Sequence, residues 1–153
     1  MRLFQGSRYD SCKFREMGYR LRDHTADVAI EVWGKDLPEL FSEAAVALFS
    51  VIGEIERVEA KEERRIEAEG QGLEGVLVSW LNELLFIHDV EGMLFSRFGV
   101  KEVGDRWLRG WARGEVFDPE RHVVLTPVKA VTYHGLYVKE EDGLWRAQVI
   151  LDV

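Results

Sequence analysis

The sequence predicts an α+β fold: a two-layer sandwich with two helices packed on a mostly antiparallel sheet of six or more strands. Three observations carry this. Two segments repeat apolar residues at helical period. Several others alternate at period two. Two pairs of the alternating segments are joined by short hairpin turns, Gly104-Asp105 and Glu141-Asp142-Gly143.

Val28-Ala29-Ile30-Glu31-Val32-Trp33 alternates and stops at Gly34, a strand. A helix follows. Asp36 suits its N-cap, Glu39 three residues on suits a capping box, and Pro38 is tolerated in the first turn. Leu37, Leu40, Phe41, Ala44, Ala45, Leu48, Phe49 and Ile52 make one apolar face, and Gly53 ends it. Residues 54–69 are heavily charged. A half-exposed strand around Arg64–Glu69 fits them, with the charges on its solvated side. After Gly70-Gln71-Gly72, a second helix runs from about Glu74 to Asp89, with Leu77, Trp80, Leu81, Leu84, Leu85 and His88 on one face.

Met93–Val103 and Arg106–Val116 read as a hairpin. In its second strand Trp107, Arg109, Trp111 and Arg113 alternate with Leu108, Gly110, Ala112 and Gly114. Interleaved tryptophans and arginines can stack single-stranded RNA. The favoured reading is arginine stems lying over tryptophans on a sheet face, with the glycines allowing close packing on a helix. Val123–Val131 reads as a strand leading into Thr132-Tyr133-His134-Gly135, and Trp145–Leu151 as the last strand.

With 153 residues, 46% of them hydrophobic, the chain is one domain's worth of sequence with a real core. Its longest uncharged apolar run is too short for a membrane span. One cysteine, Cys12, excludes an internal disulfide and any multi-cysteine zinc site, and points to the cytoplasm. The net charge of −8 argues against autonomous nucleic-acid binding. Residues 1–22 run against that balance, with six basic residues and two acidic ones. An RNA-binding arm is one reading of that charge. Since the tail has no apolar period, residues 1–17 read instead as an N-terminal extension, disordered or an over-called start upstream of Met17, and residues 18–153 as the single domain.

Asp23-His24-Thr25-Ala26-Asp27 stands at the mouth of the first strong strand. Two carboxylates and an imidazole within five residues suit a loop that presents hard oxygen ligands or general bases. The plainer reading makes Asp23 a turn cap and Asp27 a polar strand start. Spacing alone favours the plainer one, since no EF-hand or HExxH signature is present. His88-Asp89 invites comparison with metal-dependent phosphohydrolases. That chemistry needs further His and Asp on neighbouring helices, and the chain has four histidines in all (His24, His88, His122, His134). A histidine at a helix C-terminus explains His88 more simply. No phosphate loop, nucleophile elbow or dinucleotide fingerprint occurs.

Four stretches in order shift the balance: DHTADVAIEVWG from Asp23, WLNELLFIHD from Trp80, VKAVTYHG from Val128 and VILDV from Val149. Together they resemble the archease family, from about Gly18 to Val153. The resemblance implies a non-catalytic accessory protein that activates the tRNA-splicing or RNA-repair ligase, which joins an RNA 3′-phosphate to a 5′-hydroxyl through a guanylylated histidine. It implies that the family promotes guanylylation and turnover, meets RNA only indirectly, and holds a divalent metal, usually calcium. The ligands it implies are Asp27, Asp152 and oxygen from Val153. Asp23 stands where close relatives have Glu, and is placed behind the ligands with His24 and His134. All-oxygen anionic ligands suit Ca²⁺, Mg²⁺ or Mn²⁺ and disfavour zinc. Two alternatives stay open: a small metal-dependent hydrolase built from His24, Asp27 and His134, and a chaperone-like interaction module binding through the charged 54–69 face.

Overall fold

The computed structural model describes residues 3–4, 18–23 and 27–153. Its elements are β1 (Leu3–Phe4), β2 (Gly18–Asp23), β3 (Asp27–Gly34), α1 (Leu37–Ile52), β4 (Glu62–Glu69), α2 (Gly72–Glu91), β5 (Met93–Val103), β6 (Trp107–Val116), β7 (Ala130–Glu141) and β8 (Leu144–Asp152). The class is α+β, with two helices on antiparallel sheets. The strands divide between two sheets, ordered β1-β2-β3-β8-β7 and β4-β6-β5. The remainder of the N-terminal extension lies outside the described residues.

Each helix touches both sheets: α1 packs on β3 and β5, and α2 on β4 and β7. This is why α1 is buried nearly all round, down to Glu43 and Ser50. The Asp36 side chain accepts the Glu39 N–H at 2.9 Å. Glu39 reaches back to the N–H of Lys35, also at 2.9 Å, one residue before the usual capping-box partner. Gly53 ends the helix in extended backbone with φ −163°. Its small size serves a close approach, for an added Cβ would lie 2.7 Å from the Val123 carbonyl oxygen.

Trp80 of α2 is fully buried, and its indole donates to the Phe41 carbonyl at 2.9 Å. Two turns further along both helices, the Phe49 ring meets His88 edge-on at 5.9 Å. The equal steps show that α1 and α2 run parallel. Phe49 also packs against Phe95 and Phe98 of β5. Gly92 closes α2 in the left-handed region with φ 70°.

Of the β6 glycines, Gly110 packs on a helix as the alternation implied, whereas Gly114 lies against the Leu94 main chain of β5. A Cβ on Gly110 would stand 2.6 Å from the Gly99 carbonyl and 3.1 Å from the Trp80 ring. Gly110→Ala should therefore cost about 1–3 kcal/mol in urea unfolding, because neither a strand main chain nor a fully buried indole can yield cheaply. An unchanged urea midpoint would refute this packing account.

One strand differs from expectation. Residues 123–129 do not form one: Val124 makes a single bridge to Gly53, and β7 starts only at Ala130. The donors of this stretch go elsewhere. The N–H groups of Leu125 and Thr126 bond to the Ile52 carbonyl at the end of α1, and Pro127 has no donor to give.

β7 is the edge of the larger sheet. Asn82 of α2 covers it, its amide donating to the Val131 carbonyl at 3.3 Å and accepting the Val131 N–H at 3.1 Å. One side chain thus stands in for a neighbouring strand.

Candidate metal centre

The register of β3 and β8 sets Asp27 directly opposite Asp152, followed by Val28 opposite Leu151 and Ile30 opposite Val149. On the far side of β8, Ala130 stands opposite Asp152. Residues directly opposite share a face of the sheet. Val28, Ile30, Val149 and Leu151 belong to the core, so Asp27 and Asp152 share the face turned away from the helices. Both are half-buried. The end of β8 is held: the Lys129 N–H donates to the Asp152 carbonyl at 2.7 Å, and Val153 packs against the core.

Two carboxylates at directly opposed positions repel each other unless a cation stands between them. Their oxygens match a hard divalent ion, so these residues fit the metal that the family resemblance implies. Among the described residues, no three His, Cys, Asp or Glu side chains converge. The pair would thus bind with few protein ligands and leave room for water or a partner's group.

Other expected residues are placed less closely. The main chain of Asp23 pairs with Val28 at the end of β2. His24 lies outside the described residues. His134 sits on a bulge, where residues 133–136 of β7 stand against Val149 alone. That bulge is built, not slack. Its Thr132 hydroxyl accepts the His134 N–H at 3.3 Å and donates to the Ile150 carbonyl at 3.2 Å. The Gln148 amide donates to the Gly135 carbonyl at 2.8 Å, and Gly135 has φ 66°. His88 is absorbed in packing: its Nδ1 lies 2.7 Å from the Met93 carbonyl.

The tryptophan–arginine strand also resolves. The Arg113 guanidinium lies 4.2 Å from the Trp111 ring centroid and 2.8 Å from Glu63. Arg109 lies over Trp107. A groove of about 490 Å³ on this face sets Glu63, Glu67 and Glu102 beside Arg65, Lys101 and Arg109. Ring faces already taken up by arginines and a balanced charge support the packing reading over an RNA platform.

A buried ionic cluster had almost no signal in the sequence. Glu115 at the end of β6 is only 4% exposed. Its carboxylate accepts from both terminal nitrogens of Arg121, from the Glu59 N–H at 2.7 Å, and from His122 Nε2 at 3.0 Å. His122 Nδ1 accepts the Asp118 N–H at 2.8 Å, which assigns the ring proton to Nε2. The Arg121 bonds are the main reason that Glu115 ionises well below the usual carboxylate range.

The Archease protein family matches residues 19–153. The chain belongs to the archease family. Among similar archeases, that of Methanopyrus kandleri is 49% identical over 134 residues, covering 86% of this chain and 96% of the relative. That of Pyrococcus furiosus is 46% identical over 135 residues, covering 86% and 95%. The solution structure of Methanobacterium thermoautotrophicum protein 1598 superposes with a TM-score of 0.78 at 46% identity, covering 89% of this chain and 99% of that one. An archease from Thermotoga maritima, described as a possible chaperone, shares the fold with a TM-score of 0.60 at 22% identity, covering 86% and 94%. Among the described residues, no archease helix here is long and apolar enough to cross a membrane.

Proposed function

We propose that the chain activates an RNA ligase of the 3′-phosphate/5′-hydroxyl type, promoting its guanylylation and turnover without performing ligation. The observation that carries this reading is the pairing of Asp27 with Asp152 at the held end of β8. Asp27, Asp152 and an oxygen of Val153 would hold the divalent ion, with Ca²⁺ the first choice and Mg²⁺ or Mn²⁺ the alternatives. When bound, the ion supplies a positive centre with ligand positions to spare. The protein's own contribution is to align the carboxylates on adjacent strands. The net charge of −8 keeps RNA an indirect partner.

The test mixes a purified ligase of this type with GTP, Mn²⁺ and a small amount of the protein. The yield of ligase–GMP should rise over repeated turnovers, and no GMP should become attached to this chain. A labelled adduct on the chain itself, or a ligase indifferent to its presence, would refute the accessory role.

A further inference from the structure

We infer that the ligase docks on the surface running from the C-terminal half of α2 to the segment before Lys129, through an apolar element flanked by lysine or arginine. This inference rests on the ligase reading above. Phe86 and Val90 stand one turn apart on α2 and are 61% and 65% exposed. Two residues beyond Val90, the Gly92 carbonyl accepts the Phe117 N–H at 2.8 Å. The Phe117 ring lies 6.1 Å from that of His122. Val123, Val124 and Leu125 follow directly, and all three are exposed, as is Phe117. Six exposed apolar side chains thus lie on neighbouring elements, and apolar patches of this kind on a monomer are often functional.

Its place in the fold links it to the carboxylate pair. Only Lys35-Asp36 separates β3 from α1, so α1 runs back along β3 towards the Asp27 end. α2 runs parallel to it, which brings both helix C-termini to that end. Leu125 is four residues from Lys129, whose N–H bonds to the Asp152 carbonyl. Four residues of chain reach at most about 14 Å. A partner seated on the strip is therefore within reach of Asp27 and Asp152.

The rim selects the occupant. Glu83 and Asp89 flank Phe86 at three-residue steps on the exposed side of α2, and Glu56 and Glu120 are exposed on the neighbouring loops. The nearby arginines are already engaged: Arg57 with Glu54, Arg64 with Glu91, Arg121 with Glu115. Apart from the exposed Lys129 at its far end, the rim around the apolar strip is negative and fits a protein element with basic flanks. It would repel RNA, and a second copy would bring the same acidic rim against its own.

The experiment uses Phe86→Ser combined with Leu125→Ser in the full chain. Circular dichroism should show the melting curve preserved, since both side chains are exposed, and calorimetry should show unchanged Ca²⁺ binding. Affinity for the purified ligase should fall at least tenfold, and stimulation of guanylylation should return when the variant is supplied in tenfold excess. Wild-type affinity should weaken between 50 and 300 mM salt, concentrations chosen to span the usual screening range. If wild type neither binds nor stimulates the ligase, the functional reading itself falls. If wild type stimulates and the double variant binds and stimulates equally well, only the docking surface falls. It falls likewise if the substitutions instead dissolve a wild-type dimer while stimulation stays intact, or if they weaken only binding of RNA.

Discussion

Asp152→Asn should weaken divalent-metal binding by on the order of 10–100-fold or more, a loss that already attends removal of a metal ligand's supporting partner. Ligase activation should fall with it. The fold should survive, because the Asp152 contacts that hold β8 use its main chain: the strand pairing and the Lys129 N–H to carbonyl bond. Without metal, the variant should melt no lower than wild type, since one of two opposed like charges has gone. Calcium should raise the wild-type melting temperature by ligand linkage and leave the variant almost unmoved. A chain extended by a short C-terminal tag should behave similarly if the Val153 carboxylate is a ligand. Full calcium binding and activation by the tagged chain would remove Val153 from the site. The same result with Asp152→Asn would remove the site altogether.

Glu115→Ala should lower the stability of the fold. It leaves the Glu59 N–H and the buried His122 Nε2 without their acceptor, while the half-exposed Arg121 keeps its pair with Asp118. Buried polar groups left unsatisfied cost about 1–3 kcal/mol. For a domain of this size each kcal/mol moves the melting temperature by roughly 2–4 °C, so a fall of the order of 5 °C is expected. The companion Glu115→Gln separates charge from shape. Because the folded-state carboxyl ionises below its ordinary value of about 4.3, its stabilisation is fully present above that value. It is lost as the pH falls below it. The stability gap between wild type and Glu115→Gln should therefore be constant near neutrality and shrink between pH 5 and pH 3, limits that bracket the unfolded value. A gap that widens on acidification would refute the assignment.

Much of this architecture was legible because it depends on local chemistry. The helix start at Asp36 and the hairpin at Glu141-Asp142-Gly143 follow from caps and turns, and Asp142 and Gly143 take the positive φ that such a turn requires. The division into two sheets depends on which strands meet across long separations, which periodicity does not encode. The stretch 123–129 misled because its Val-Val-Leu composition suits a strand, whereas its hydrogen bonds finish α1. At the candidate site, Asp27 and Asp152 were identifiable from motif resemblance, but their direct opposition appears only in the register. Asn82 and the Glu115–Arg121–His122 cluster had no sequence signal beyond polar residues beside apolar ones.

The order of strands in the larger sheet bears on how the chain is made. β8, the last strand, lies between β3 and β7, in the interior of its sheet. A nascent chain emerging from the ribosome can form α1, α2 and the β5–β6 hairpin early, since their contacts are local. β3 must wait, with its partner edge open, until residues 144–152 have been synthesised. Closing so long a loop is entropically slow. The step that completes the sheet is also the step that brings Asp152 to Asp27. An incomplete chain thus carries no assembled carboxylate pair, and the pair arises only with the finished fold.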